Sequence, residues 1–118
     1  MTTLTSHRGA LDGLRIVDLA GTVATAYAGK LFADYGAQVI NLEGPEGAPT
    51  RRLPPLVPGS RRSALHGYLN ANKLSVTRNA VGVALTGADL VLVDDRDHDV
   101  ALPDSVSTCS VTWFGPSP

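Results

Sequence analysis

Cysteine occurs once in these 118 residues, at Cys109, which excludes an intramolecular disulfide framework and fits a reducing cytoplasm. No apolar run approaches the roughly eighteen residues of a membrane helix, so no span is expected. The opening residues 1–8 have no apolar core behind their charge, so no signal peptide is expected either. Charge of one sign is also missing. Eleven acidic and ten basic side chains give a formal net charge of −1, which offers no general attraction to nucleic acid or to an anionic membrane surface. A GxGxxG fingerprint is absent, because Gly21 is followed by no glycine before Gly29; this argues against a nicotinamide or flavin site. His7, His66 and His98 show no spacing to Cys109 or to a serine that makes a catalytic relay. The acidic run at residues 94–99 lacks EF-hand spacing and its closing glutamate, so it reads as a solvated loop. No catalytic residue and no metal ligand can be assigned.

What is present is concentrated in residues 14–43. Residues 14–19 and 37–42 read as short buried strands. Between them Ala24, Tyr27, Ala28, Leu31, Phe32 and Tyr35 fall at helical spacing and share one face, the expected core face. Thr22 or Thr25 can cap this helix, and Gly36 sits where a left-handed C-cap is expected. Strand, helix and strand make a βαβ unit, which binds ligands where the first strand's end turns into the helix, here residues 20–25. Residues 44–65 hold five prolines, three glycines and four arginines, a density that breaks helices and strands and predicts a long surface loop. Further strands are expected at 74–77, 89–93 and 107–113, with only a helical turn at 81–85. Cys109 is expected as a small core residue, and Tyr68 and Trp113 as packing residues. The predicted architecture is α/β, a Rossmann-like, mostly parallel sheet of four or five strands with flanking helices. Residues 1–10 form a flexible N-terminus, and 11–118 one domain.

Several phrases in this sequence have a common source. Leu11-Asp12-Gly13-Leu14 is followed by Asp18-Leu19, then by Ala33-Asp34-Tyr35-Gly36-Ala37-Gln38-Val39-Ile40-Asn41-Leu42-Glu43, with Pro45 close behind. Asn70-Ala71-Asn72-Lys73-Leu74-Ser75-Val76, Ala88-Asp89-Leu90-Val91-Leu92-Val93 and Ser110-Val111-Thr112-Trp113-Phe114-Gly115-Pro116 come later, in order. Together they resemble the N-terminal segment of the class III coenzyme A transferase family, of CaiB/BaiF type. That family includes formyl-CoA and carnitine CoA-transferases and α-methylacyl-CoA racemases.

The resemblance implies a CoA-binding type of domain that takes CoA or acyl-CoA as substrate and holds no permanently bound cofactor. Its reaction moves CoA between carboxylic acids through an aspartyl acyl-enzyme anhydride. This chain supplies no residue that can be placed as that aspartate, so it is expected to be inactive alone. It also implies that Val23 and Ala24 lie near the CoA nucleotide. Arg51, one of two arginine pairs on the long loop, offers a fork for phosphate, and the family has an arginine nearby. Lys73 can pair with a phosphate, and Asn70 can fix its loop by bonding backbone groups. Glu43 is placed to accept ribose hydroxyls or to close its strand as a solvated acid.

Four departures stand against these matches. The family's Ala-Gly-Pro is here Ala24-Thr25-Ala26; its loop aspartate is missing before Arg51; its later lysine is replaced by Ala80 and Val81; charges at 94–99 replace an asparagine and a Gly-Pro turn. Three readings follow: the leading part of an acyl-CoA transferase or racemase, a diverged non-catalytic copy kept for assembly, or an unrelated nucleotide-binding module. Because the family's chains are several times longer, this one is expected to be the first part of a larger domain. It is expected to form a homo-oligomer or to join a complementary CoA-transferase chain.

Overall fold

The computed structural model describes residues 9–94 and 100–112. Five strands form one sheet: β1 (Arg15–Asp18), β2 (Gln38–Glu43), β3 (Leu74–Thr77), β4 (Leu90–Val93) and β5 (Ser107–Ser110). Their order is β3-β2-β1-β4-β5, and every neighbouring pair is parallel. The chain therefore steps outward from β1 to β3 and then returns to the other side of β1. This makes a switch point at the carboxyl ends of β1 and β4, where open parallel sheets bind ligands.

The three central strands, β1, β2 and β4, are largely buried because both of their faces are covered. On one face Ile16, Val39 and Leu92 pack with Ala33 and Ala37 against helix α1 (Val23–Asp34). On the other, Val17, Leu19, Ile40, Leu42, Val91 and Val93 pack with Ala84 and Leu85 of α3 (Val81–Leu85). The second helix in chain order, α2 (Ala64–Leu69), lies beside α1, where Lys30 stands 4.8 Å from the centre of the Tyr68 ring. Thr22 caps α1 with the reciprocal box: its Oγ1 accepts from the Thr25 amide, and its own amide donates to Thr25 Oγ1. Gly36 ends the helix with φ +104°, the left-handed geometry its position predicts.

The predicted core face of α1 is corrected. Tyr27, Leu31 and Tyr35 are 48%, 44% and 60% exposed, while Thr25, Ala26, Gly29 and Ala33 are buried. The cause is close approach. A methyl built on Gly29 would lie 3.3 Å from Val39 Cγ1 and 3.1 Å from Lys73 Nζ, so only small residues fit against the sheet. The larger side chains of the apolar stripe face outward, with Phe32 and Ala28 at its edge still touching the core. Cys109 is corrected as well: all four residues of β5 are exposed, so its thiol is not a core group. Tyr68, 59% exposed, is not a packing residue of the core.

The long loop is less irregular than predicted. It contains a 3₁₀ turn (Pro49–Arg52), an antiparallel bridge between Leu56 and Ser63, and the start of α2, where Ser63 Oγ accepts from the His66 amide at 3.0 Å. Gly9 belongs to the folded part, its carbonyl accepting from the Asp12 amide. The expectations for residues 1–8, for the acidic run after Asp94 and for Trp113 fall outside the described residues. Among the described residues no helix is long and apolar enough to cross a membrane.

Candidate functional site

The carboxyl ends of β1 and β2 open into a cleft of about 460 Å³. One wall is the turn after β1. Asp18, 1% exposed, folds that turn by accepting from the amides of Ala20 at 2.9 Å and Gly21 at 3.0 Å. Burial raises its carboxyl above the ordinary aspartate range, and those two amides only partly oppose it. The second wall is the loop after β2, organised by Glu43. Its Oε1 accepts from Arg51 Nε at 2.6 Å and from the Ala48 amide at 2.6 Å; its Oε2 accepts from Arg51 Nη2 at 2.8 Å and from the Ser75 hydroxyl. The paired Arg51 guanidinium, ahead of the other groups, lowers this carboxyl to about 2. Gly47 must be glycine here: φ is +78°, and a Cβ would meet Arg51 Cδ at 2.9 Å. Two further cations line the cleft. Arg52 Nη1 donates to the Glu46 carbonyl at 3.1 Å, and Arg78 Nη2 donates to the Leu19 carbonyl at 2.7 Å.

Behind the cleft, under α1, the sheet's inner face turns polar. Asn41 Nδ2 donates to Asn70 Oδ1 at 2.8 Å, and Lys73 Nζ donates to the same oxygen at 3.0 Å and to the Ala26 carbonyl at 2.7 Å. Burial pulls the Lys73 ammonium down to about 8, against the attraction of Asp18. His66 Nδ1 lies 2.7 Å from Thr50 Oγ1 and 3.1 Å from Asn70 Nδ2. The Asn70 amide can only donate there, so this network assigns the imidazole proton to Nε2. Burial lowers the His66 pKa, and the nearby Arg51 charge lowers it further. Two buried oxygens in this layer, Asp18 Oδ2 and Asn41 Oδ1, find no hydrogen-bond donor among the described residues.

The five residues singled out from sequence therefore fall into separate places. Val23 and Ala24 are exposed in the first turn of α1 and do not line the cleft. Arg51 holds Glu43, while Asn70 and Lys73 share the polar layer; these three are engaged by the fold itself. Arg52 and Arg78 are the arginines that line the cleft; Arg52 belongs to the first of the two arginine pairs on the long loop, and Arg78 was not singled out. The signal for Arg78 was its place directly after an expected strand, where a side chain meets the sheet's ligand edge. No described side chain is placed as an exposed nucleophile in the cleft, and among the described residues no group of three His, Cys, Asp or Glu gathers to hold a metal. The cleft thus presents the guanidinium groups of Arg52 and Arg78 beside the carboxylates of Glu43 and Glu46.

The model of CoA-transferase family III matches residues 11–80. Succinate–glutarate CoA-transferase of Agrobacterium fabrum is 31% identical over 98% of this chain and 35% of its own length. Succinyl-CoA:mesaconate CoA-transferase of Haloarcula hispanica is 37% identical over 80% of this chain and 22% of its own. The crystal structure of a CaiB/BaiF family protein from Brucella suis superposes with a TM-score of 0.76 at 31% identity, over 94% of this chain and 35% of that one. The chain thus spans about a third of the first relative's length.

Proposed function

This chain belongs to CoA-transferase family III, and from that premise we propose that it is the CoA-facing N-terminal segment of an acyl-CoA transferase. The observation that supports this most is the cleft at the carboxyl edge of the sheet, lined by Arg52 and Arg78 beside Glu43 and Glu46, the place where a parallel α/β sheet takes a nucleotide. In this reading CoA or acyl-CoA is a substrate. Residues outside these 118, on the same or a complementary chain, supply the aspartate that attacks the thioester and forms the acyl-enzyme anhydride. Asp18 cannot be that nucleophile, being 1% exposed with Oδ1 bound to two amides. Association with a second copy or a complementary chain, in the cytoplasm, belongs to the same reading.

A calorimetric titration with CoA and with dephospho-CoA tests it. Saturable binding of CoA, weakened when the 3′-phosphate is absent, is the expected result. No heat and no thermal stabilisation at millimolar CoA would refute it. That outcome would favour the second reading, a diverged non-catalytic copy that serves in assembly. One structural observation already leans that way: Arg51 and Lys73, the cations best matched to the family pattern, are both spent on internal bonds.

A further inference from the structure

The polar layer beneath α1 is wired in one direction. The Asn70 side-chain amide donates to the His66 carbonyl at 3.0 Å, and a carbonyl can only accept, so Asn70 Nδ2 must face α2. Asn70 Oδ1 therefore faces the sheet, where Asn41 Nδ2 donates to it at 2.8 Å and Lys73 Nζ at 3.0 Å. That fixes Asn41 in turn, because flipping its amide would set oxygen against oxygen. Its Oδ1 is left buried, with no donor among the described residues.

The other such oxygen, Asp18 Oδ2, belongs to its neighbour. Asp18 and Asn41 are register partners on β1 and β2, so their side chains leave the same face of the sheet side by side. They are 1% and 7% exposed, which shuts both acceptors off from water. The groups that face Asp18 from other elements do not answer Oδ2. Its partner on β4, Leu92, is apolar. The Thr25 hydroxyl of α1 faces Asp18 but gives its proton to the Thr22 carbonyl at 3.3 Å. Lys73 donates to Asn70 and to the Ala26 carbonyl, and acts on Asp18 only by attraction. One proton between the two oxygens would satisfy both.

We propose that Asp18 is a carboxylic acid in the folded chain, its Oδ2–H donated to Asn41 Oδ1. The acid then matches its surroundings at each oxygen: Oδ1, as the carbonyl oxygen, accepts from the Ala20 and Gly21 amides, and Oδ2 donates. A directed chain of hydrogen bonds runs from Asp18 through Asn41 and Asn70 to His66 Nδ1, each bond polarising the next. Asp18 is thus a positioning residue, whose proton ties the turn that walls the cleft to the layer under α1. Burial, the largest influence on this carboxyl, acts in the same direction.

The test uses no ligand, so its outcome is independent of the CoA reading. In the ¹³C-labelled 118-residue chain, the Asp18 carboxyl carbon is expected to keep its protonated chemical shift at pH 6. Ordinary aspartates, with a pKa of about 3.9, are ionised there. Asp18→Asn puts an N–H where the acid has its O–H, and identifies the resonance by its loss. The folded acid holds a proton that the unfolded chain releases, so wild-type stability falls as the pH rises above about 3.9, and the amide escapes that loss. The Asp18→Asn thermal midpoint should lie close to that of wild type at pH 4 and exceed it by about 4 °C or more at pH 7. Asp18→Ala, which leaves both turn amides without their acceptor, should melt lower at each pH. A carbon that titrates like an ordinary aspartate would overturn the assignment, leaving an ionised Asp18 answered by Lys73 or by a buried water. An Asp18→Asn midpoint below wild type at pH 7 would overturn it as well. Should that variant not fold, the carbon titration of the wild type decides alone.

Discussion

Glu43→Gln is expected to lower the folding stability of this chain by about 2 kcal/mol at pH 7 and to flatten its acid limb. An intact paired carboxylate that is 8% exposed is costly to replace: the neutral amide keeps the shape but cannot hold the Arg51 fork and the Ala48 amide together. Breaking a fully buried pair costs about 3–5 kcal/mol. Arg51 is 47% exposed and can return to water, so the smaller figure applies here. The pH dependence follows from the depressed carboxyl. Its stabilisation is complete above the ordinary glutamate value of 4.5 and is lost as the pH falls from there to about 2. Asp18, raised by burial, works in the opposite sense, gaining a proton on folding. The Glu43 contribution is therefore the difference between wild type and Glu43→Gln in denaturant unfolding from pH 6 to pH 2. Parallel curves for the two proteins would remove Glu43 from its organising role. The same variant should also weaken CoA, since the Ala48 amide and Arg51 fix the wall that carries Arg52.

The second large effect lies at alkaline pH. Lys73 has an ammonium lowered from 10.5 to about 8 in the folded chain. Between those values the unfolded chain binds more protons than the folded one, so stability rises with pH across the window. The group is only half-buried, which reduces the expected gain to about 1–2 kcal/mol between pH 8 and 10.5. Lys73→Met should abolish that rise. Lys30 titrates in the opposite direction: its ion pair with Asp34, 2.8 Å apart, raises its pKa, and that stabilisation fades above the window. Urea midpoints at pH 7.5, 9 and 10.3 for the two proteins measure the effect. A wild-type midpoint that falls over this range, in step with the variant, would contradict the placement of Lys73 beneath α1.

The centre of the sheet was legible in the sequence because β1, β2 and β4 are short, mainly apolar runs punctuated by Gly36, Gly44 and Gly87, and the helix start because Thr22 and Thr25 are capping residues. The buried face of α1 was not legible. Periodicity weighs large apolar side chains, so Tyr27, Leu31 and Tyr35 outvoted Ala26, Gly29 and Ala33. The sheet selects the small residues because helix and strand approach closely over Val39 and Lys73. β5 misled for a related reason: Ser107–Ser110 has the spacing of a strand, but every one of its residues is exposed, and pattern alone does not tell a covered strand from a bare one. At the site, similarity pointed to Arg51, Asn70 and Lys73 as positions, and all three lie near the sheet's carboxyl edge. Their engagement with Glu43, Asn41 and the Ala26 carbonyl depends on contacts between residues eight to forty-seven apart in sequence, which no local pattern encodes. Arg78 was hidden in the same way, since its partner Leu19 is 59 residues distant.

The most direct test of the central claim is an amide chemical-shift map of the ¹⁵N-labelled chain titrated with CoA. Saturable shifts concentrated at Ala20, Gly21, Gly44, Gly47 and Arg78, with α3 and β5 unmoved, are the predicted result. Shifts confined to other surfaces, or none at millimolar CoA, would contradict a nucleotide site at this cleft.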